Sequence, residues 1–172
     1  NYLAVNTILL QFVMIASFFL DAYAYSTESV VGFALGRGSL KSFMSSVRSS
    51  FDLSFFTGII ISIIYLILFK TIIDLLTDID YLRFISYGFI YWIILIPPIA
   101  SFAYQFDGIF LGTSQTKELR NSMIFSVILF ILISSYLIEI LENHGIWLSL
   151  LLFLVLRAVS LNFYFPNIVK KF

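Results

Sequence analysis

Four charged side chains lie inside long apolar segments of this sequence: Asp21, Glu28, Asp107 and Arg157. Burial of a carboxylate in a medium of low dielectric favours its protonated form, so such a group can take up and release a proton near neutral pH. A neighbouring guanidinium has the opposite effect, and Arg157 is available as a partner for one of the three acids. The four residues are therefore candidates for proton or cation coupling, and a static ion pair is the alternative.

The first two carboxylates share one stretch of the chain, residues 20–38. Asp21 and Glu28 are seven residues apart, which is close to two helical turns, so a helix places both on nearly the same face. Small residues between them, such as Ala24, let another helix approach closely. Ionisable groups in apolar helices usually face a bundle interior or a water-filled cavity. We expect this pair to do the same.

The composition predicts an integral membrane protein. Of 172 residues, 60% are hydrophobic and 12% are charged, and the mean hydropathy is +1.01. A soluble domain is about half apolar and a quarter charged. Ten basic residues balance ten acidic ones, which gives no indication of a nucleic-acid partner. The partner that these numbers indicate is the lipid bilayer.

Five segments are long and apolar enough to cross a bilayer, which takes about 20 residues. They cover residues 3–35, 53–76, 82–111, 121–141 and 145–169. None shows the period-two alternation of a transmembrane strand. The predicted fold class is therefore all-α, a polytopic membrane helix bundle. Between the first two spans, residues 39–50 have apolar positions at helical spacing, which predicts a separate amphipathic helix on the membrane surface, with a plain loop as the alternative.

The loops between the spans differ in charge. Basic residues follow the first, third and fifth spans, at Arg37, Lys41, Arg48, Lys117, Arg120, Lys170 and Lys171. The other two connections are acidic, with Asp74, Asp78, Asp80, Glu139 and Glu142. Since Lys and Arg concentrate on the cytoplasmic side, the C-terminus is expected to be cytoplasmic and Asn1 to lie outside. A chain that starts outside, without Met or a signal peptide, is expected to be a fragment of a longer product.

A proline pair, Pro97-Pro98, interrupts the third span. Each proline lacks a backbone donor, so carbonyls near residues 93 and 94 lose their usual partners. Inside a membrane those carbonyls must be satisfied by protein or water. The pair is a candidate hinge, and a static bend is the alternative.

Several aromatic residues could line a cavity for organic cations. Tyr23, Tyr91 and Trp92 offer ring faces that attract cations, although anchoring at the membrane interface or packing are the alternatives. We find no phosphate-binding loop, nucleophile elbow or metal-binding motif, and the single His144 cannot form a histidine metal site alone. The sequence therefore indicates a protein that is not an enzyme and has no metal or cofactor.

A resemblance to a known family rests on three stretches: LDAYAYSTESVVGFALGRG, AYQFDGIFLGTSQTKELRNSM and WLSLLLFLVLRAVSL. They are similar to segments of the multidrug and toxic compound extrusion (MATE) family, in particular its DinF-like branch. The matching positions are Asp21, Ala24, Glu28, Gly32, Ala34, Leu35 and Gly36 in the first stretch, Gln105, Asp107, Gly108, Phe110, Gly112 and Arg120 in the second, and Leu156-Arg157 in the third. Gln105 joins the candidates for lining a substrate cavity.

The resemblance implies a twelve-helix transporter built from two lobes, of which this chain resembles helices eight to twelve in the C-terminal lobe. It further implies a secondary antiporter of the bacterial inner membrane that exports organic, often cationic, compounds in exchange for H⁺ or Na⁺. The missing N-terminal lobe would then be a partner from the same full-length protein. Two alternatives remain: a flippase for a lipid-linked glycan precursor, and a membrane scaffold or accessory subunit that transports nothing.

Overall fold

A computed structural model describes residues 2–172, and this part of the chain forms six helices without strands. Their bounds are α1 Tyr2–Gly36, α2 Leu40–Leu76, α3 Asp80–Tyr87, α4 Ile90–Gly112, α5 Thr116–Leu141 and α6 Asn143–Val169. All except α3 are long and apolar enough to cross a membrane. The predicted all-α membrane bundle is thus confirmed, and the chain is an integral, multi-pass membrane protein.

Helix α4 is the centre of the bundle. It packs against α1, α2 and α6, whereas α5 packs mainly on α6. In its most apolar stretch 61% of the residues of α4 are buried, compared with 6% in α5. Side chains on α4 therefore meet three neighbouring helices, and a polar residue there has partners on several sides.

Helix α2 begins earlier than the sequence predicted. Residues 40–50 form its first three turns and continue into the apolar part without a break, so the expected separate surface helix is wrong. The reason is packing: the ring of Phe43 is fully buried and lies 4.9 Å from that of Phe172 and 6.2 Å from that of Phe165. The 37-residue helix is about 55 Å long at 1.5 Å per residue, which exceeds the hydrocarbon thickness of a bilayer.

The third predicted span is two helices. Residues 82–111 were expected to form one span, but α3 ends at Tyr87 and α4 starts at Ile90, after the Gly88-Phe89 corner. Arg83 holds α3 to the end of α2: its guanidinium lies 3.4 Å from the Asp74 carboxylate and donates to the Asp74 carbonyl at 3.0 Å. These polar contacts bind the first residues of the predicted span to the connecting segment, so only α4 is a candidate span.

The proline pair lies within a continuous α4. Pro98 cannot donate to the carbonyl of Ile94, and the hydroxyl of Ser62 on α2 donates to that oxygen instead, at 2.6 Å. A side chain at Gly58 would come within 2.9 Å of the Pro97 carbonyl, so α2 and α4 make close backbone contact here. The expected need for an outside donor is confirmed at Ile94, while the hinge role of the pair stays a prediction.

A polar network ties the starts of α1 and α6 together. Asn6 and Asn143 donate to each other through their amides, at 2.7 and 2.9 Å, and Trp147 Nε1 donates to the same Asn6 oxygen at 3.0 Å. Asn143 and Trp147 are buried. These contacts fix the end of the bundle opposite to the aromatic contacts of Phe43.

Candidate functional site

The four charged residues of the apolar segments meet in one cavity. It has a volume of about 160 Å³ and lies between α1, α4, α5 and α6. Its lining consists of Asp21, Ala24, Tyr25, Glu28, Asp107, Gly108, Leu111, Leu119 and Arg157. The structure therefore brings together the whole set of candidate coupling residues, from three helices that are far apart in the sequence.

Arg157 pairs with Asp107, which resolves the partner that the sequence left open. Arg157 Nη2 lies 2.6 Å from Asp107 Oδ2, and the two side chains are only 18% and 15% exposed. Their other polar atoms are less well satisfied: Asp107 Oδ1 and Arg157 Nε are buried and have no hydrogen-bond partner among residues 2–172. The pair thus keeps one spare acceptor and one spare donor beside the cavity.

Asp21 and Glu28 lie on the opposite wall, on α1. Tyr25 stands between them in the lining, which is the spacing of one helix face. Within residues 2–172 neither carboxylate lies within 4 Å of a basic side chain. With three carboxylates and one guanidinium in its lining, the cavity has a formal charge of −2 when all four groups are ionised.

Two glycines of α4 allow this close approach to α1. A side-chain carbon at Gly108 would collide with the carbonyl of Ala24, and one at Gly112 would collide with that of Glu28. Close approach of this kind at small residues is a common way in which membrane helices pack. The glycines hold Asp107 within the cavity that the α1 carboxylates line.

Hydrogen bonds between side chains support the same interface. Tyr104 donates to Ser17 at 2.8 Å, and Thr27 donates to Gln105 Oε1 at 2.6 Å. Gln105 is completely buried, and its Nε2 has no hydrogen-bond partner within the residues that the structure describes. Gln105 therefore contacts α1 through Thr27 and does not line the charged cavity.

The candidate substrate-lining residues are not brought together. Tyr23 accepts a hydrogen bond from Thr57 at 2.9 Å, while Tyr91 is 74% exposed at the other end of the bundle. Fourteen residues separate Tyr91 from Gln105, about 21 Å along α4. Trp92 donates to His144 at 2.9 Å. None of these residues lines the charged cavity, and their role in lining a substrate cavity stays a prediction.

Comparison with known proteins now decides the family. The MatE family model matches residues 1–140 of this chain. The chain belongs to the MatE family. It is also 30% identical, over 161 residues, to the DNA damage-inducible protein F of Escherichia coli strain K12. That match covers 94% of this chain and 35% of the relative, so the chain spans about a third of the relative's length. No solved structure matches the chain.

The MatE match confirms the resemblance that the motifs indicated, including its DinF-like branch. The matched region contains Asp21, Glu28 and Asp107 but ends before Arg157. The match to the Escherichia coli relative extends further, over 161 of the 172 residues, and includes position 157. All four charged residues of the cavity therefore lie in the part of this MatE protein that is similar to that relative.

Sequence reasoning missed part of the cavity lining. Tyr25 and Leu119 were not singled out, although Asp21, Tyr25 and Glu28 follow a helical spacing of four and three residues that places all three on one face. No comparable signal exists for Leu119, because its place in the lining depends on how α5 folds back across the end of α4. The sequence thus allowed a prediction of which residues share a helix face, but not of which residues on different helices are in contact.

Proposed function

We propose that this chain is the C-terminal lobe of a secondary antiporter of the bacterial inner membrane. In this proposal the antiporter exports organic, often cationic, compounds in exchange for H⁺ or Na⁺. Membership of the MatE family and the helical membrane bundle support it. Because the chain spans about a third of its relative, the opposing N-terminal lobe comes from the same gene product, and rocking of one lobe against the other gives alternating access.

The observation that carries the proposal is the charged cavity between α1, α4 and α6. Three carboxylates and one guanidinium share it, and of these carboxylates only Asp107 has an ionic partner within 4 Å among residues 2–172. A bundle interior with surplus negative charge is costly unless a proton or a cation neutralises it. Asp21 and Glu28 are therefore the groups that gain most from taking up a coupling ion.

The size of the cavity favours an ion over a drug as its occupant. About 160 Å³ is well below the roughly 300–1,000 Å³ of sites that enclose drug-sized ligands. Within the described residues no three acidic or histidine side chains lie close enough to share a metal ion. The size and charge of the cavity thus support a small cation, H⁺ or Na⁺, as the coupling ion.

The Asp107–Arg157 pair supplies a means of coupling. When Asp21 and Glu28 are ionised they compete with Asp107 for the guanidinium of Arg157 across the cavity, and their protonation leaves Arg157 to Asp107. Because α4 and α6 are joined by this pair, its two states favour two arrangements of these helices. A proton shifts the equilibrium between two conformations only if it binds more tightly to one of them. Pro97 and Pro98, earlier on α4, are the proposed hinge.

The alternatives fit the cavity less well. A flippase for a lipid-linked glycan would need several free cations to meet a pyrophosphate, and Arg157, the base in the cavity lining, is already paired with Asp107. A scaffold without transport would have no use for costly carboxylates in an apolar interior. It predicts that Asp21, Glu28 and Asp107 tolerate replacement by amides without functional loss.

The proposed orientation follows the charges of the helix ends. Lys41, Lys117 and Lys170 lie at one end of the bundle, and Asp74 and Glu142 lie at the other. We place the basic end and the C-terminus in the cytoplasm. Labelling of cysteines introduced at Lys170 and Glu142 in intact cells, with a reagent that does not cross the membrane, tests this orientation. The proposal requires labelling at position 142 alone.

The test of antiport is efflux from vesicles that contain the gene product as the cell makes it. Loss of ethidium, an organic cation, is measured under an imposed pH gradient and, separately, under a sodium gradient. Asp21→Asn, Glu28→Gln and Asp107→Asn are compared with Asp52→Asn, an exposed acid on α2 outside the cavity. We expect one of the two gradients to drive efflux, at least one of the three cavity variants to abolish it, and the control to leave it intact.

Two results would overturn the proposal. One is efflux that responds to neither gradient, and the other is wild-type coupling in all three cavity variants. The two-lobe proposal has a separate test, the intact mass of the gene product in its native membranes. We expect a mass well above the 19.7 kDa of this chain. A product of 19.7 kDa would remove the opposing lobe unless a second subunit provides it.

A further inference from the structure

A second polar junction lies at the acidic end of the bundle, away from the charged cavity. Trp92 Nε1, on the first turn of α4, donates to His144 Nδ1, on the first turn of α6, at 2.9 Å. The ring of Phe89 stacks on the imidazole, with 4.4 Å between centroids and 22° between planes. This contact is the side-chain link between the α3–α4 corner and α6.

The hydrogen bond requires one form of the histidine. Indole nitrogen can only donate, so Nδ1 must be the acceptor and the proton of the neutral ring must sit on Nε2. Protonation places a second N–H on Nδ1, opposite the N–H of Trp92, and the bond is lost. Histidine is the side chain whose charge ordinarily changes between about pH 5 and 8.

The surroundings of His144 leave it accessible to protons. It is exposed and lines a cavity of about 490 Å³ together with Tyr2 of α1 and Tyr87 of α3. Among residues 2–172, no acidic or basic side chain other than His144 belongs to that lining. Elsewhere around the junction, Asp74 and Lys70 of α2 contact Tyr87, and Glu142 lies two residues before His144 at the turn between α5 and α6.

We propose that the Trp92–His144 contact is a pH-sensitive junction, which joins the start of α4 to the start of α6 while His144 is neutral and releases it when His144 is protonated. Protonation removes the indole bond and leaves the stacking of Phe89 as the remaining contact between this corner and the imidazole. The adjacent Asn6–Asn143 contact has no titratable group and holds α6 to α1 at every pH in this range. The junction therefore loosens α4 and α3 without detaching α6 from the bundle.

The first test finds which nitrogen of His144 carries the proton. Histidine labelled with an NMR-active nitrogen isotope, in the gene product purified without a histidine tag, gives imidazole signals, and those that are missing from His144→Gln belong to this residue. At about pH 8 the proposal expects a proton on Nε2 and an unprotonated Nδ1. A proton on Nδ1 at that pH would overturn it, because Nδ1 could not then accept from Trp92.

A second test removes the donor and keeps the ring. In Trp92→Phe no indole N–H selects the tautomer of His144, so at about pH 8 a larger share of the neutral imidazole should carry its proton on Nδ1. Tyr91→Phe changes the neighbouring exposed residue and should leave the tautomer ratio unchanged. A wild-type tautomer ratio in a folded Trp92→Phe protein would contradict the junction.

Hydrogen–deuterium exchange measures the release itself. After correction for the intrinsic effect of pH, residues 88–93 of the wild-type protein should exchange faster at about pH 5.5 than at about pH 8. In Trp92→Phe the corrected rates should be equal at the two pH values and close to the fast wild-type rate. Equal corrected exchange rates of the wild-type protein at the two pH values would overturn the proposal. This outcome does not require that Trp92→Phe folds.

Discussion

Arg157 Nη2 lies 2.6 Å from Asp107 Oδ2 and joins α6 to α4 inside the bundle. The same cavity exposes this pair to two further carboxylates, Asp21 and Glu28, on α1. The guanidinium therefore has a partner in place and alternative partners within the cavity. The ion pair holds α4 and α6 together, and a proton taken up by one of the three carboxylates changes which of them pairs with Arg157.

Replacement of Arg157 should destabilise the protein more than replacement of its partner Asp107. Arg157→Gln leaves three carboxylates without a counter-charge and should lower the free energy of unfolding by roughly 3 kcal/mol. Asp107→Asn should cost less, because Arg157 retains the α1 acids in its cavity. Adding Asp107→Asn to Arg157→Gln should recover most of the loss. Thermal unfolding in detergent measures all three variants, and equal losses in the two single variants would contradict this account.

Gly108 should tolerate no side chain. Alanine there would collide with the carbonyl of Ala24, and relieving the contact would push α4 away from α1. Overpacking of this kind typically costs about 1–3 kcal/mol. Gly36→Ala is the matched control, since nothing lies within 4 Å of its added carbon. Thermal unfolding in detergent measures both variants. A Gly108→Ala protein as stable as Gly36→Ala would show that α1 and α4 are not in close contact at Gly108.

Ser62 should matter for stability although it lies far from the charged cavity. Its hydroxyl donates to the Ile94 carbonyl that Pro98 leaves without a helical partner. Ser62→Ala leaves a buried acceptor unsatisfied and should cost about 1–3 kcal/mol. Ser135→Ala, which removes an exposed hydroxyl bonded within its own helix, should be close to neutral. Wild-type unfolding of Ser62→Ala would show that water replaces the hydroxyl at this carbonyl.

The phenol of Tyr87 should lose its proton at a higher pH than that of an ordinary tyrosine. The hydrogen bond that it donates to the Asp74 carboxylate, at 2.7 Å, raises the pKa of its phenol, with smaller effects from desolvation and the negative charge of Asp74. A raised pKa means that the contact stabilises the folded state below the unfolded pKa, and that this contribution is lost as pH rises through the folded value. The difference between the ultraviolet titrations of wild type and Tyr87→Phe isolates this phenol. Asp74→Asn should move it to lower pH, and no movement would contradict the assigned cause.

The sequence was sufficient for properties that depend on local composition. Five apolar segments predicted the five long helices because each exceeds the length needed to cross a bilayer. Seven-residue spacing placed Asp21 and Glu28 on one helix face, and the proline pair predicted an unsatisfied carbonyl at Ile94. It misjudged where helices begin and end: α2 gains three turns, and α3 separates from α4. The start of α2 depends on the packing of Phe43 against Phe165 and Phe172, which are distant in the sequence. The break before α4 accompanies the ion pairs of Arg83 with acids of the segment just before it, whose geometry the apolar pattern does not indicate.

Tertiary structure alone decided which charged groups meet. Asp107 and Arg157 are 50 residues apart, on helices whose mutual rotation no local pattern fixes. Their pairing depends on α4 packing against α1 through Gly108 and Gly112 and against α6 at the same cavity. The sequence determined that buried charge exists and must find partners, because an apolar interior makes an isolated charge costly. Only the packing of three helices determined that these partners share one cavity.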